Sequence, residues 1–394
     1  MNISNLSPSR KYIISILYFL LCLTLYYVAL NILQPFKPIA IVALILGLLV
    51  FNKLFDGKIY MGPSIIFWML SILPFLISLF YTIDLNASLQ FVIIYGLTIL
   101  VFFLLVNSDL NIQKYTLNIN YYFSISIMIF TLFSYFLPNL FKGTVLPLLN
   151  DGAQRAYSYF LSQGELSGIS GQTGTNAFLL SVGLTFLLFK KKNILNIILI
   201  SLFIYFIILS EKRGILLANG VAYLAVIFLF TKINYKKIIA LILLVVMIII
   251  FGSFYFLNNS FGDINEFSSG RIYLYEEALS IFTDNFWKGI GINAYSSIEG
   301  INTHNVYIQL LSEVGLVGFV LFILAQLITF NQSLKLKTIA IKKNPDISNY
   351  FLSVIYFQIF FFVYSFIGNP LYDYNFFFIY LLLIAPILNT KSWR

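Results

Sequence analysis

Cysteine and histidine are almost missing from this chain: each occurs once among 394 residues. A lone Cys22 excludes an intramolecular disulfide, and one His with one Cys argues against a His/Cys metal site. Charge is scarce too, at 10% of residues against the roughly 25% of a soluble domain. Internal repeats and low-complexity linkers are absent, which excludes solenoids and tethered modules. What fills the chain instead is apolar: 60% hydrophobic, with 18% aromatic. That exceeds the roughly 45–50% of soluble proteins, so the surplus must face lipid.

A membrane-spanning helix needs about 20 mostly apolar residues. Twelve runs meet or approach this: Tyr12–Leu33, Pro38–Phe51, Met61–Phe80, Phe91–Val106, Tyr121–Phe141, Thr173–Phe189, Ile194–Leu209, Ile215–Phe230, Ile238–Phe256, Val306–Phe330, Tyr350–Ile367 and Phe376–Leu388. The first is too long for a signal peptide and reads as a retained helix. The sequence therefore predicts an all-α integral membrane protein of about 12 helices, a single polytopic domain over residues 1–394.

Net charge is +9, which on a soluble protein would point to nucleic acid. Its distribution removes that reading. With both termini cytoplasmic, 17 of the 24 basic residues and three of the 15 acidic ones fall on cytoplasmic segments. That face carries +14 and the opposite face −5, as the positive-inside rule requires. Two extracytoplasmic segments are long, 142–172 and 257–304. The second is expected to hold an amphipathic helix over Arg271–Phe282, capped by Ser268 or Ser269.

Arginine departs from this pattern. Three of the five, Arg155, Arg213 and Arg271, lie outside, each on a different connection. Arginine suits planar, bidentate recognition of phosphate; the bland alternative is pairing with carboxylates such as Glu211 or Glu276. Arg213 is wedged with Ser210, Glu211 and Lys212 between two apolar runs, where polar groups face a bundle interior or an aqueous cavity, unless the segment is a simple surface turn. His304, at the entrance to the tenth run, is the one side chain able to accept a proton near neutral pH without heavy tuning. Glu313 lies nine residues on, on the opposite helix face and about 13 Å deeper. A structural role is expected for it, with Gly315 and Gly318 allowing close helix approach.

Three stretches resemble the O-antigen ligase and polymerase family: Phe286-Trp287-Lys288-Gly289-Ile290-Gly291, then Thr303-His304-Asn305-Val306-Tyr307, then Glu313-Val314-Gly315-Leu316-Val317-Gly318. Ser268-Ser269-Gly270-Arg271 and Arg213-Gly214 also look like that family's motifs. Lys212 departs from it, standing where a serine is usual. The likeness covers about residues 205–325. It implies a GT-C-like membrane glycosyltransferase in the bacterial cytoplasmic (inner) membrane, working on the extracytoplasmic side without metal or other cofactor. The donor would be an undecaprenyl-pyrophosphate-linked oligosaccharide, and a chain-length regulator is a possible partner.

On that resemblance His304 is the catalytic base, with Glu165, Glu211 and Glu277 as rivals. Arg213, Arg271 and Arg155, with Lys212 and Asn305, would bind substrate; Glu313, Gly315 and Gly318 would be structural. Pyrophosphate leaves readily once its growing charge is stabilised, so the paired carboxylates of a glycosidase are not required. A polymerase would pass the glycan to a second lipid-linked repeat unit, a ligase to a lipid A core or, less expectedly, to protein. A flippase for the same lipids would share the spans but would not need a long outer segment ending in a lone histidine.

Overall fold

The computed structural model describes residues 59–108, 110–190, 193–230, 270–343 and 345–388, with a few isolated positions before residue 59. Every element among them is helical. In chain order these are α1 (Pro63–Leu70), α2 (Ile72–Ser78), α3 (Leu85–Val106), α4 (Leu110–Phe136), α5 (Pro138–Thr144), α6 (Asp151–Ser162) and α7 (Thr173–Leu188). Then follow α8 (Ile194–Leu209), α9 (Arg213–Phe230), α10 (Arg271–Asp284), α11 (Tyr295–Glu299), α12 (Val306–Lys343), α13 (Pro345–Tyr364) and α14 (Tyr374–Ile384).

Nine of the twelve apolar runs fall on these residues, and helices cover each of them. Tyr12–Leu33, Pro38–Phe51, Ile238–Phe256 and both termini lie largely outside the described residues, as do Ser268 and Ser269. Four of the described helices are long and apolar enough to cross a membrane: Leu85–Val106, Thr116–Phe136, Arg213–Phe230 and Val306–Ile339. Two runs are interrupted at proline, which cannot donate and crowds the preceding turn. Pro74 accompanies the break at Ser71, and Pro138 ends α4 and opens α5.

Burial sorts the helices. In α7 nearly every side chain is buried, so its apolar character all round suits a central position. It packs against α4, α8, α9 and α13. By contrast α8 exposes Ile194, Leu195, Ile197, Ile198, Ile204 and Ile208, and α1 and α2 expose Ile66, Leu73, Leu76 and Ile77. Apolar surface on that scale belongs against lipid.

Several polar groups between the helices pair with one another, as an apolar medium favours. Asn219 Nδ2 donates to Ser181 Oγ at 2.8 Å while Tyr356 Oη donates to Asn219 Oδ1 at 2.6 Å, tying α9 to α7 and α13. Trp68 Nε1 donates to Thr329 Oγ1 at 2.9 Å, joining α1 to α12.

A helix does form in the second long segment, but its cap differs from expectation. The N-cap of α10 is Gly270 at φ 77°, and no side chain caps it. The first long segment also holds a helix, α6, capped by Asn150 Oδ1 accepting from Ala153 N at 2.9 Å.

Candidate active site

Helix ends converge on one cavity of about 830 Å³. The start of α7 brings Gly174, the turn before α9 brings Glu211 and Lys212, and the first residue of α9 is Arg213. Arg271 enters from the first turn of α10, His304 from just before α12, Tyr364 from the end of α13 and Asp373 from the N-cap of α14. Three of the candidate residues, His304, Arg213 and Arg271, thus share a single wall system although 91 residues separate the first two.

Local backbone chemistry aims these groups. Ser210 Oγ donates to Leu166 O at 3.0 Å, and Leu166 N donates to Leu209 O at 3.0 Å, which pins the Ser210–Arg213 turn. Glu211 takes φ 52° there and His304 takes φ 58° at its own corner. Non-glycine residues seldom adopt this left-handed backbone, and it gathers at functional sites where surrounding contacts enforce it. Gly214 matters sterically: a Cβ there would lie 3.0 Å from Ile367 Cδ1. The same Ile367 receives at its carbonyl a hydrogen bond from an Arg271 guanidinium nitrogen at 3.4 Å. Gly214, next to Arg213, and the Arg271 guanidinium therefore both meet one residue of the α13–α14 connection.

Around His304 the corner is held from both sides. Asn305 Oδ1 accepts from Tyr307 N at 3.0 Å and Ile308 N at 3.2 Å, capping α12. Asn305, for which the sequence suggests substrate binding, is buried behind the wall: its side chain caps α12 and also bonds Tyr275, which lines the cavity. Thr303 N donates to Gln309 Oε1 at 3.2 Å, and Gln309 Nε2 donates to Glu313 Oε1 at 3.0 Å.

Glu313 is a buried hub. It also accepts from Tyr295 N at 3.1 Å, Asn293 N at 2.7 Å and Tyr372 Oη at 2.6 Å. Among the described residues it reaches the histidine corner through Gln309, while Tyr372 adjoins the cavity residue Asp373. Gly315 departs from helical geometry at φ 63°, ψ −170°. A Cβ there would come within 2.4 Å of Trp287 backbone, so this glycine admits a loop strand rather than a helix. Gly318 faces α2, where its Cβ would lie 3.2 Å from Pro74 Cβ.

Glu313→Gln should lower thermal stability measurably. The carboxylate has four donors on two oxygens, and an amide would turn N–H groups toward two of them. An unsatisfied buried donor costs about 1–3 kcal/mol, so unfolding in detergent should begin several degrees lower. An unchanged melting temperature would mean that the hub relaxes without penalty.

Electrostatically the cavity mixes signs. Lys212, Arg213 and Arg271 face Glu211 and Asp373. His304 is exposed at the cavity, and its pKa lies below the ordinary imidazole value, chiefly because the surrounding walls desolvate it and secondarily through the Arg271 charge. Asp373, likewise exposed at the cavity, has its carboxyl pushed up to about 6 by desolvation between the walls. Its side chain makes no cap bond, so the carboxylate is directed elsewhere than the helix start.

Arg155 lies apart. It lines a neighbouring cavity of about 570 Å³ with Tyr159, Phe160 and Thr173, and that cavity touches the first through Gly174 and Lys212. Of the rival bases only Glu211 lines the histidine cavity; Glu165 pairs with Lys212 at 3.2 Å. Glu277 is on α10 but not on the wall. Sequence reasoning missed Asp373, Tyr275 and Asn369. Nothing in the sequence around Tyr372-Asp373-Tyr374 beyond an acidic residue opening an apolar run marks Asp373.

No curated protein matches the chain. Residues 197–323 match the family model described as O-Antigen ligase, a span that runs from α8 through the first half of α12 and contains Arg213, Arg271 and His304. The likeness first visible in the motifs is therefore sustained over these residues: the stretch 197–323 is similar to the O-Antigen ligase family, in a chain with four described helices long and apolar enough to cross a membrane.

Proposed function

We propose that the protein is a polysaccharide polymerase that transfers an undecaprenyl-pyrophosphate-linked glycan onto a second lipid-linked repeat unit at the extracytoplasmic face. The observation that carries this reading is the convergence of a histidine of lowered pKa and two arginines on one cavity. His304, neutral at physiological pH, takes the proton from an acceptor hydroxyl. That oxygen attacks the anomeric carbon with inversion as the bond from that carbon to the pyrophosphate oxygen breaks. The pyrophosphate departs with the electron pair, its growing charge met by Arg213 and Arg271. The arginines contribute most where charge is greatest, in the transition state, which is the condition for accelerating the step.

Purified protein in liposomes, given lipid-linked repeat units alone, should release polyprenyl pyrophosphate and build a ladder of longer glycans. Release that occurs only when a lipid A core saccharide is added would make the protein a ligase instead. Movement of the lipid across the bilayer without any glycan transfer would exclude both.

A further inference from the structure

The cavity around Arg155 has the chemistry of a second substrate site. On α6, Arg155 and Tyr159 stand one turn apart and both are exposed, with Phe160 beside them, while Ala153 and Tyr157 on the opposite face are buried. Arg155 makes no ion pair with any described residue. The wall opposite is the start of α7, a 16-residue helix whose N-cap, Gln172, makes no side-chain cap bond. Its first-turn N–H groups form a positive end able to take an anion. Thr173, wholly buried on that wall, has a hydroxyl without a hydrogen-bond partner. Buried hydroxyls are normally satisfied, so this one is suited to a ligand oxygen.

Lys212 completes the ring, 3.2 Å from Glu165 and 5.4 Å above the Phe160 ring. Cations, a helix start and aromatic faces together fit a phosphate-bearing sugar, the phosphate on the charges and the ring against Tyr159 or Phe160. Among the described residues no carboxylate lines this cavity, whereas two line its neighbour. The junction is equally specific. Gly174 and Lys212 belong to both cavities, so a sugar held in one can direct a hydroxyl into the other.

We infer that the Arg155 cavity is the acceptor subsite, which holds a second phosphate-bearing glycan and delivers its hydroxyl past Gly174 to His304. This rests on the transfer reaction proposed above and adds where its second substrate sits. The anion can be the pyrophosphate of another lipid-linked repeat or a phosphate of a lipid A core.

Binding stoichiometry tests it, measured on His304→Ala protein in nanodiscs so that nothing turns over. A short-chain polyprenyl-pyrophosphate-linked repeat should fill two sites per chain. Arg155→Glu, at an exposed position, should weaken one of them roughly 30-fold or more and leave the other. Arg271→Gln should weaken the other. If only one repeat binds and a phosphorylated core saccharide fills a second, Arg155-sensitive site, the acceptor is the core. Loss on Arg271→Gln but none on Arg155→Glu, with either ligand, would overturn the subsite and keep the donor reading. No binding to the parent by either ligand would overturn both.

A second variant tests the passage with His304 in place. A Cβ on Gly174 would meet no atom within 4 Å, so a longer side chain there projects into open space. Gly174→Trp would fill the junction and should slow transfer roughly 100-fold relative to the parent. A rate equal to the parent's would show that the acceptor does not pass there.

Discussion

His304→Ala protein is expected to reach normal abundance, bind the lipid-linked donor, and transfer glycan 10²- to 10⁴-fold more slowly, roughly the range for loss of a positioned general base. The corner carrying it is held by Thr303, Asn305 and Gln309, none of which bonds the imidazole in the contacts above, so the substitution leaves those supports in place. The rate profile against pH gives a second readout. The base works only when neutral, so kcat/KM should be level at neutral pH and fall as acid protonates the free enzyme. Burial and then the Arg271 charge lower the pKa, which places this limb below the ordinary value of about 6.5.

Bound pyrophosphate would offset the Arg271 charge, so the corresponding limb in kcat should lie at higher pH. Arg271→Gln should likewise move the kcat/KM limb upward. Asp373 titrates close by, at about 6, and must be separated from the histidine. The limb should survive Asp373→Asn and vanish from the residual rate of His304→Ala. Near wild-type product from a well-folded His304→Ala protein would remove the histidine as base and leave Glu211 and Asp373, the carboxylates on the same wall.

Much of this arrangement was legible in the sequence because lipid imposes long apolar runs that need no tertiary information. The nine runs on described residues all became helices. Arg213, Arg271 and His304 stood out for being rare or on the unexpected side of the charge pattern, and these three share the cavity. What failed to show was anything dependent on which helix end meets which. Arg155 has the same sequence character as the other two, yet the position of α6 assigns it to the adjoining cavity. Asn305 sits beside the histidine in the chain, but the helix beginning at Val306 claims its side chain. Asp373 lacked any motif, and only the packing of α14 brings it to the wall. Gly315 was readable as a close-approach glycine; that the approaching partner is the Trp287–Lys288 backbone depends on a fold in the loop that no periodicity encodes.

The arginines supply the other large effect. Arg213→Ala or Arg271→Ala should reduce transfer roughly 30- to 1000-fold, the equivalent of about 2–4 kcal/mol for one charged contact to a developing oxyanion. Lysine distinguishes charge from shape. A guanidinium offers five N–H donors in a fixed plane, whereas an ammonium is a compact point charge on a flexible stem. Arg271 already spends one guanidinium nitrogen on the Ile367 carbonyl at 3.4 Å, which orients the remaining donors toward the cavity. An ammonium cannot hold that carbonyl and present a planar pair of donors at once. Arg271→Lys should therefore be nearly as slow as Arg271→Ala. By the same planar geometry, Arg213→Lys should be nearly as slow as Arg213→Ala. Because both groups act on charge that builds as pyrophosphate leaves, the loss should appear mainly in kcat, with KM moving less. A loss confined to KM would place the arginines in ground-state binding alone, and full activity in both lysine variants would reduce their role to general electrostatics.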